Sequence, residues 1–249
     1  MCVVSLPSTM KASEAYMKKM ALGLLYNSPL ERNLNLVLRY GPIVKMLKKI
    51  GRKSRNELRI LEIGSGSIGI TRFYSGKVVG IDIEAEKYNN PRLKFLKGSA
   101  TKLPFKDKSF DIVISVDTLE HLARKEQIRM VQEAFRVAKK YILFTYPVGF
   151  TKYHERILKT WKKSHLTKSL EEHLHGGTPK GDEVQRALKG KKYGLLKEYG
   201  THPALAYYFN YLEQNIITKA ISRTILKAFL PLFRIPKGNT RVYFFVTKN

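Results

Sequence analysis

Glu62-Ile63-Gly64-Ser65-Gly66-Ser67-Ile68-Gly69 directly follows an apolar run, Arg59 to Ile63 (RILEI), and opens a short helical pattern that stops at Gly76. A buried strand ending in glycines and turning into a helix lets the backbone approach a ligand closely, because no Cβ fills the space that the ligand needs. The next apolar run, Lys77 to Ile83 (KVVGIDI), ends at Asp82, where a carboxylate is placed to accept hydrogen bonds from ribose hydroxyls. Only 13 residues separate Asp82 from Gly69, whereas a dinucleotide site has its acid about 20 residues on. Glu62, two residues before the first glycine, offers nothing to a pyrophosphate. A ligand carrying both a ribose and a positive charge suits the Glu62 and Asp82 pair better.

Further apolar runs extend the pattern outward. Leu93 to Leu96, Phe110 to Val116 (FDIVISV) and Tyr141 to Tyr146 (YILFTY) alternate with helical stretches, which predicts a parallel sheet covered on both faces. The clearest helix joins the last two of these runs, with Ile128, Val131, Phe135 and Ala138 as its apolar stripe. A weaker strand is expected over Tyr193 to Tyr199, and Arg241 to Thr247 (RVYFFVT) closes the chain as a strong one. The expected fold class is therefore α/β, a Rossmann-like seven-stranded mixed sheet with helices on both faces. Around it stand a helical N-terminal extension (residues 1–58), the core (59–149), a segment of cap insertions with the sixth strand (150–240), and the final strand (241–249). Within the extension, turn signals at Asn27-Ser28-Pro29 and Gly41-Pro42 are expected to break the helices.

The 249 residues include 46 Lys and Arg against 20 Asp and Glu, a formal charge of +26. This excess is not spread evenly. Residues 1–58 hold 11 basic and 3 acidic side chains, 59–138 hold 14 and 10, and 139–249 hold 21 and 7, so the core is nearly balanced. Two amphipathic stretches concentrate it: Lys45, Lys48 and Lys49 lie opposite Ile43, Leu47 and Ile50, and Lys219, Arg223 and Lys227 recur on one face of a helical run. Both are candidates for meeting an anionic surface, either RNA or anionic lipid. A content of 11% aromatic residues excludes a disordered basic tail. A single cysteine, Cys2, excludes an intrachain disulfide framework and fits a cytoplasmic protein. No leader pattern and no apolar run long enough to span a bilayer is visible, so no transmembrane segment is expected.

Taken in order, E-x-G-x-G, VVGIDI and GSATKLPFKDKSFDIVISVDTLEHL resemble the class I S-adenosylmethionine-dependent methyltransferases, in particular the subgroup that includes the ubiquinone and menaquinone methyltransferases. The resemblance covers roughly Arg59 to Pro147. It implies S-adenosylmethionine as cofactor, with Glu62, Gly64, Ser65 and Gly66 bordering its methionine part and Asp82 and Ile83 its ribose. Ser99 and Ala100 would border the adenine, and Ser115, Val116 and Asp117 would close the site. Many relatives carry an acid where this chain has Ser99, whose hydroxyl bonds more weakly.

The implied chemistry is in-line displacement at a sulfonium methyl, in which the protein chiefly aligns the reactants and excludes water. A proton acceptor helps only a protonated nucleophile, and Asp117, His121 and Tyr146 are the candidates, with Glu120 beside them. No Asp/Asn-Pro-Pro-aromatic run follows the fourth strand, and Cys2 is remote from the site in sequence, which disfavours both nucleobase mechanisms. His154, His165, His173 and His175 lack metal-site spacing, so no metal is expected. Aromatic residues of the cap, Tyr153, Trp161, Tyr207, Tyr208, Phe209 and Tyr211, suit a planar or lipidic partner. The expected acceptor is a small or lipid-like molecule. An RNA methyltransferase using the basic flanks, or a catalytically silent basic binding protein on the same fold, are the alternatives.

Overall fold

The computed structural model describes residues 34–84, 90–148, 179, 182–201, 234–235 and 241–248. The second basic stretch, with Lys219, Arg223 and Lys227, the cap aromatics, and the helices expected before residue 34 lie outside them.

All seven expected strands are present: β1 (Ile60–Ile63), β2 (Val78–Asp82), β3 (Leu93–Lys97), β4 (Phe110–Val116), β5 (Ala138–Pro147), β6 (Tyr193–Thr201) and β8 (Arg241–Lys248). A two-residue strand, β7 (Arg234–Ile235), adds an eighth at the edge, giving the order β3-β2-β1-β4-β5-β8-β6-β7. Strands β1 to β5 pair in parallel, while β8 runs antiparallel between β5 and β6. Chain order reverses between β1 and β4, and the crevice beyond the carboxyl ends at such a point is where open α/β sheets bind ligands.

Side chains alternate between two cores, as a strand's period of two requires. On one face Leu61, Ile63, Val113, Ile142, Phe144, Val242, Phe244 and Val246 pack against helix α2 (Arg124–Val137) and the short α3 (Glu183–Ala187). On the other, Ile60, Ile112, Ile114, Leu143, Tyr243 and Phe245 meet Ile43, Leu47 and Ile50 of helix α1 (Leu34–Gly51).

Two local expectations are corrected. The Gly41-Pro42 pair does not break α1, which runs through Pro42. Burial of Ile43, Leu47 and Ile50 against the sheet offsets the one hydrogen bond that Pro42 cannot donate. Helix α2 is also rotated from the expected stripe: Gln127, Met130, Val131, Ala134 and Val137 are buried, Ile128 is 37% exposed, and Ala138 already belongs to β5. Ala134 is fully buried in this core, against which the larger Phe135 packs while only partly buried.

Candidate cofactor and methyl-transfer site

Glycine carries the backbone through the turn after β1. Gly64, Gly66 and Gly69 all adopt positive φ, a region that side-chain-bearing residues rarely occupy. Their surroundings differ. A Cβ on Gly69 would overlap the Glu62 carboxylate and one on Gly64 would overlap the Thr118 side chain, whereas a Cβ on Gly66 would meet nothing within 4 Å among the described residues. Among the described residues, Gly66 is therefore the point at which the loop is open.

Strand parity puts Glu62 on the same sheet face as Ile60, beneath α1, where it is wholly buried. Its Oε2 accepts a hydrogen bond from the Ile70 amide at 2.7 Å, and its Oε1 has no partner among the described residues. Burial pushes the carboxyl up to about 8, with the nearby Asp82 charge adding to the shift and the Ile70 amide opposing it. At the end of β2, Asp82 accepts hydrogen bonds from the amides of Gly66, at 2.9 Å, and Glu84, at 3.1 Å. The next residue, Ile83, is 55% exposed, an apolar surface left uncovered beside that acid.

The chain from β3 reaches the same end of the sheet through the Gly98 amide, which donates to the Asp82 carbonyl at 2.9 Å. Ser99 is exposed and its hydroxyl pairs with that of Thr101 at 2.9 Å, with Ala100 partly buried between them. Arg136 of α2 fixes this loop, donating to the carbonyls of Phe105 at 2.7 Å and Leu103 at 3.1 Å and bridging Asp107 and Glu133. Glu133 in turn accepts from the Leu103 amide at 2.8 Å.

Beyond β4, Ser115 and Val116 are buried, and Asp117 has φ 50°. Its amide donates to the Thr145 carbonyl at 3.0 Å and its carboxylate pairs with Arg39 of α1. Thr118 Oγ1 donates to the Ile63 carbonyl at 3.2 Å, which seats this turn against the first glycine.

Glu62, Gly64, Gly66, Asp82, Ile83, Ser99, Ala100 and Asp117 thus gather at the carboxyl ends of β1 to β4. Ser65 turns its side chain inward, its hydroxyl over Gly80 and donating to the Gly66 carbonyl at 2.9 Å, so only its backbone faces the loop's open side. Among the proton-acceptor candidates His121 is exposed and Tyr146 is fully buried among the side chains on the α2 face. Sequence reading missed Arg39 and Tyr40. They come from α1, about 80 residues before Asp117 in the chain, and nothing in α1's own pattern points to the glycine loop. Tyr40 stacks on Phe73 with ring centroids 5.5 Å apart. Burial, then the Glu62 charge, raises its hydroxyl well above the ordinary tyrosine value.

The same helix also places the first basic stretch. Arg39 pairs beyond the end of β4 and Gly51 lies against Leu58 just before β1, so α1 runs back toward the ends at which the parallel strands begin. Lys48 and Lys49 are about 15 Å along the helix from Arg39, away from the loop. At that same end of the sheet Lys139 and Lys140 begin β5, and Lys191 and Lys192 precede β6. Among the described residues no group of three or more His, Cys, Asp or Glu is placed to hold a metal ion, and no helix is long and apolar enough to cross a membrane.

Comparison with known proteins agrees with this geometry. Residues 61–143 match the family model of a methyltransferase domain. Over 104 residues the chain is 31% identical to phthiotriol/phenolphthiotriol dimycocerosates methyltransferase 1 of Mycobacterium ulcerans, an alignment covering 35% of this chain and 36% of that protein. The chain thus matches about a third of that relative's length. The fold resembles magnesium protoporphyrin IX methyltransferase of Synechocystis PCC 6803, solved with bound S-adenosylhomocysteine, with a TM-score of 0.54 at 12% identity over 96% of this chain and 100% of that one. It also resembles a sarcosine dimethylglycine methyltransferase, so described provisionally, from Galdieria sulphuraria, with a TM-score of 0.53 at 15% identity over 90% and 91% of the two chains. At these identities the structural likeness is one of fold. Residues 61–143 thus match a methyltransferase domain in sequence, and the sheet built around them has the fold of solved methyltransferases.

Proposed function

We propose that this chain transfers the methyl group of S-adenosylmethionine to a small, lipid-like acceptor. The observation that carries the cofactor half of this reading is the buried Glu62 carboxyl, whose Oε1 has no partner among the described residues, beneath a glycine loop that is open at Gly66 and tied to Asp82. An orphaned buried oxygen attracts a cationic group, Asp82 suits ribose hydroxyls, and uncovered Ile83 suits the flat face of a base. When bound, S-adenosylmethionine supplies a methyl group already activated by its sulfonium. The protein's part is to orient the donor with Glu62, the loop backbone and Asp82, and to hold water away by packing α1 over that end of the sheet.

The lipid-like acceptor is supported by the named substrates of the mycobacterial relative, and a quinone-type acceptor belongs to the same chemical class. A proton acceptor, where the nucleophile needs one, falls to exposed His121 rather than to buried Tyr146 or to Asp117, whose carboxylate is buried in its pair with Arg39. The exposed lysines at the opposite end of the sheet, Lys48 and Lys49 with Lys139, Lys140, Lys191 and Lys192, form a surface for an anionic partner that does not crowd the site.

Calorimetry with S-adenosylmethionine tests the cofactor half. Binding is expected at one molecule per chain and is expected to weaken at least 100-fold in Asp82→Ala; binding of NADH with no binding of S-adenosylmethionine overturns it. Transfer of a labelled methyl group into the organic-soluble fraction of a cell extract tests the acceptor, and label confined to RNA points to the alternative. Co-sedimentation with phosphatidylglycerol vesicles at low salt, lost when Lys48, Lys49, Lys191 and Lys192 become Glu, tests the basic surface.

A further inference from the structure

The chain leaves α3 through a turn that presents three amines to solvent, then starts a strand with two leucines in the open. The Lys191 amide donates to the Leu188 carbonyl at 2.9 Å, and Gly190 takes the positive φ of 79° that closes this turn. Leu188 is buried, while Lys189, Lys191 and Lys192 are exposed. Tyr193 turns inward, its ring edge-on to Phe244 with centroids 6.3 Å apart. Two residues on, Leu195 is 53% exposed and Leu196 is 43% exposed. A single exposed leucine is ordinary. Two in succession, about 10 Å along the strand from Lys192, form an apolar point set in positive charge.

Strand register brings the charge and the leucines to one side. Leu195 pairs with Val246, which is buried in the core on the α2 face, so Leu195 points to that face and remains more than half exposed there. Lys248, two residues along β8, lies on the same face, its amine 4.3 Å from the centre of the Phe135 ring and donating to the carbonyls of Phe135 and Ala138. Burial, then the charge of Lys108, lowers the proton affinity of that amine, with Asp107 opposing and Lys191 adding to the effect. Lys108 and Lys191 therefore stand beside the face to which Leu195 points. Leu196 is the extra residue of a bulge, since Leu195 pairs with Val246 and Lys197 with Phe245. Among the described residues β7 covers β6 only at Gly200 and Thr201. A bulge on such an edge works against pairing with a strand of another chain. Tyr193, the aromatic residue between the lysines and the leucines, is turned away from any nucleobase that would stack on it. Aliphatic surface beside positive charge suits anionic lipid, whose head groups meet the lysines and whose acyl boundary takes the leucines.

We propose that residues 189–196 form a membrane-docking edge, in which Leu195 and Leu196 enter the boundary between head groups and acyl chains of an anionic bilayer while Lys189, Lys191 and Lys192 meet its phosphates. The inference rests on the reading of this end of the sheet as a surface for an anionic partner, and it commits that partner to a bilayer held by apolar insertion as well as by charge. The chain is then held by the start of β6, at the end of the sheet remote from the glycine loop.

The test measures partition of the full chain onto vesicles of phosphatidylcholine with about one third phosphatidylglycerol, and onto phosphatidylcholine alone. The unaltered chain is expected to prefer the anionic vesicles by roughly tenfold or more, each lysine near the surface being worth about fivefold. Leu195→Ser combined with Leu196→Ser is expected to weaken that binding roughly 10- to 30-fold and, both side chains being exposed, to leave the melting temperature within about 2 °C. Leu195→Trp, read above the signal of Trp161 in the unaltered chain, is expected to shift its emission to the blue and to be quenched by brominated acyl chains when anionic vesicles are added. Vesicle binding that is lost on reversing the lysine charges but unchanged in the double serine variant, or Leu195→Trp emission that is not quenched, overturns insertion and leaves the basic surface standing. Binding to single-stranded RNA with none to vesicles overturns the proposal and assigns the basic end to nucleic acid. Binding to neither overturns the basic-surface reading on which it rests.

Discussion

The Asp82 carboxylate accepts a hydrogen bond from the Gly66 amide at 2.9 Å across 16 residues of chain, so the acid that ends β2 and the glycine turn that ends β1 form one unit. That bond orders Gly66, whose missing Cβ opens onto space among the described residues. It also brings the Asp82 charge near buried Glu62, where it adds to the cost of ionising that carboxyl.

Glu62 should make stability depend on pH. Its carboxyl is raised to about 8 in the folded chain from an ordinary value of 4.5, so between those values the folded state holds a proton that the unfolded state has released. Its contribution is fully present below about pH 4.5 and is lost as pH rises through about 8. The melting temperature is expected to fall more steeply from pH 5 to pH 8.5 in the natural chain than in Glu62→Gln, and parallel curves would refute this. A cationic ligand favours the ionised carboxyl, so binding near pH 7 should release a proton, seen as a buffer-dependent calorimetric heat that Glu62→Gln lacks.

Gly66 and Gly69 share a φ of +52° but not an environment. Gly69→Ala adds a Cβ against the Glu62 carboxylate on top of the backbone strain, and a loss of roughly 2 to 3 kcal/mol is expected in denaturant titration. Gly66→Ala should cost only about 1 kcal/mol, yet it should weaken S-adenosylmethionine at least tenfold because its methyl group enters the open side of the loop. The two variants separate stability from binding, and equal effects on both quantities would count against the open-side assignment.

Arg136 acts on the site from a distance. Removing it leaves the carbonyls of Leu103 and Phe105 and the carboxylate of Glu133 without their shared donor. Hydrogen bonds to charged groups are worth about 1.5 to 3 kcal/mol, discounted here because the side chain is about a third exposed. Arg136→Met is expected to cost about 1 to 2 kcal/mol and to speed amide exchange at residues 101–106, including the Leu103 amide held by Glu133. Exchange unchanged in that segment would show that the loop is held by its own packing.

The strands, their parallel pairing and the residues of the glycine loop were legible in the sequence, because an apolar run ended by glycines and a carboxylate constrains the backbone locally. Glu62, Gly66 and Asp82 come from two consecutive strands whose pairing follows from the chain order, so their meeting could be foreseen. The facing of α2 was misjudged at Ile128, because only the packed helix reveals that Gln127, Met130 and Ala134 are buried while Ile128 is exposed. Arg39 and Tyr40 were not legible at all. Their place over the loop depends on α1 running unbroken through Pro42 and docking by Ile43, Leu47 and Ile50 on one particular sheet face. The +26 charge tells the same story, since composition gives its size while only the direction of α1 and the parallel strands puts Lys48, Lys49 and the lysines before β5 and β6 at the end remote from the loop. Short-range periodicity and loop chemistry fix what each segment is. Which segments meet is fixed by burial and charge pairing across the folded chain, and that information is not local.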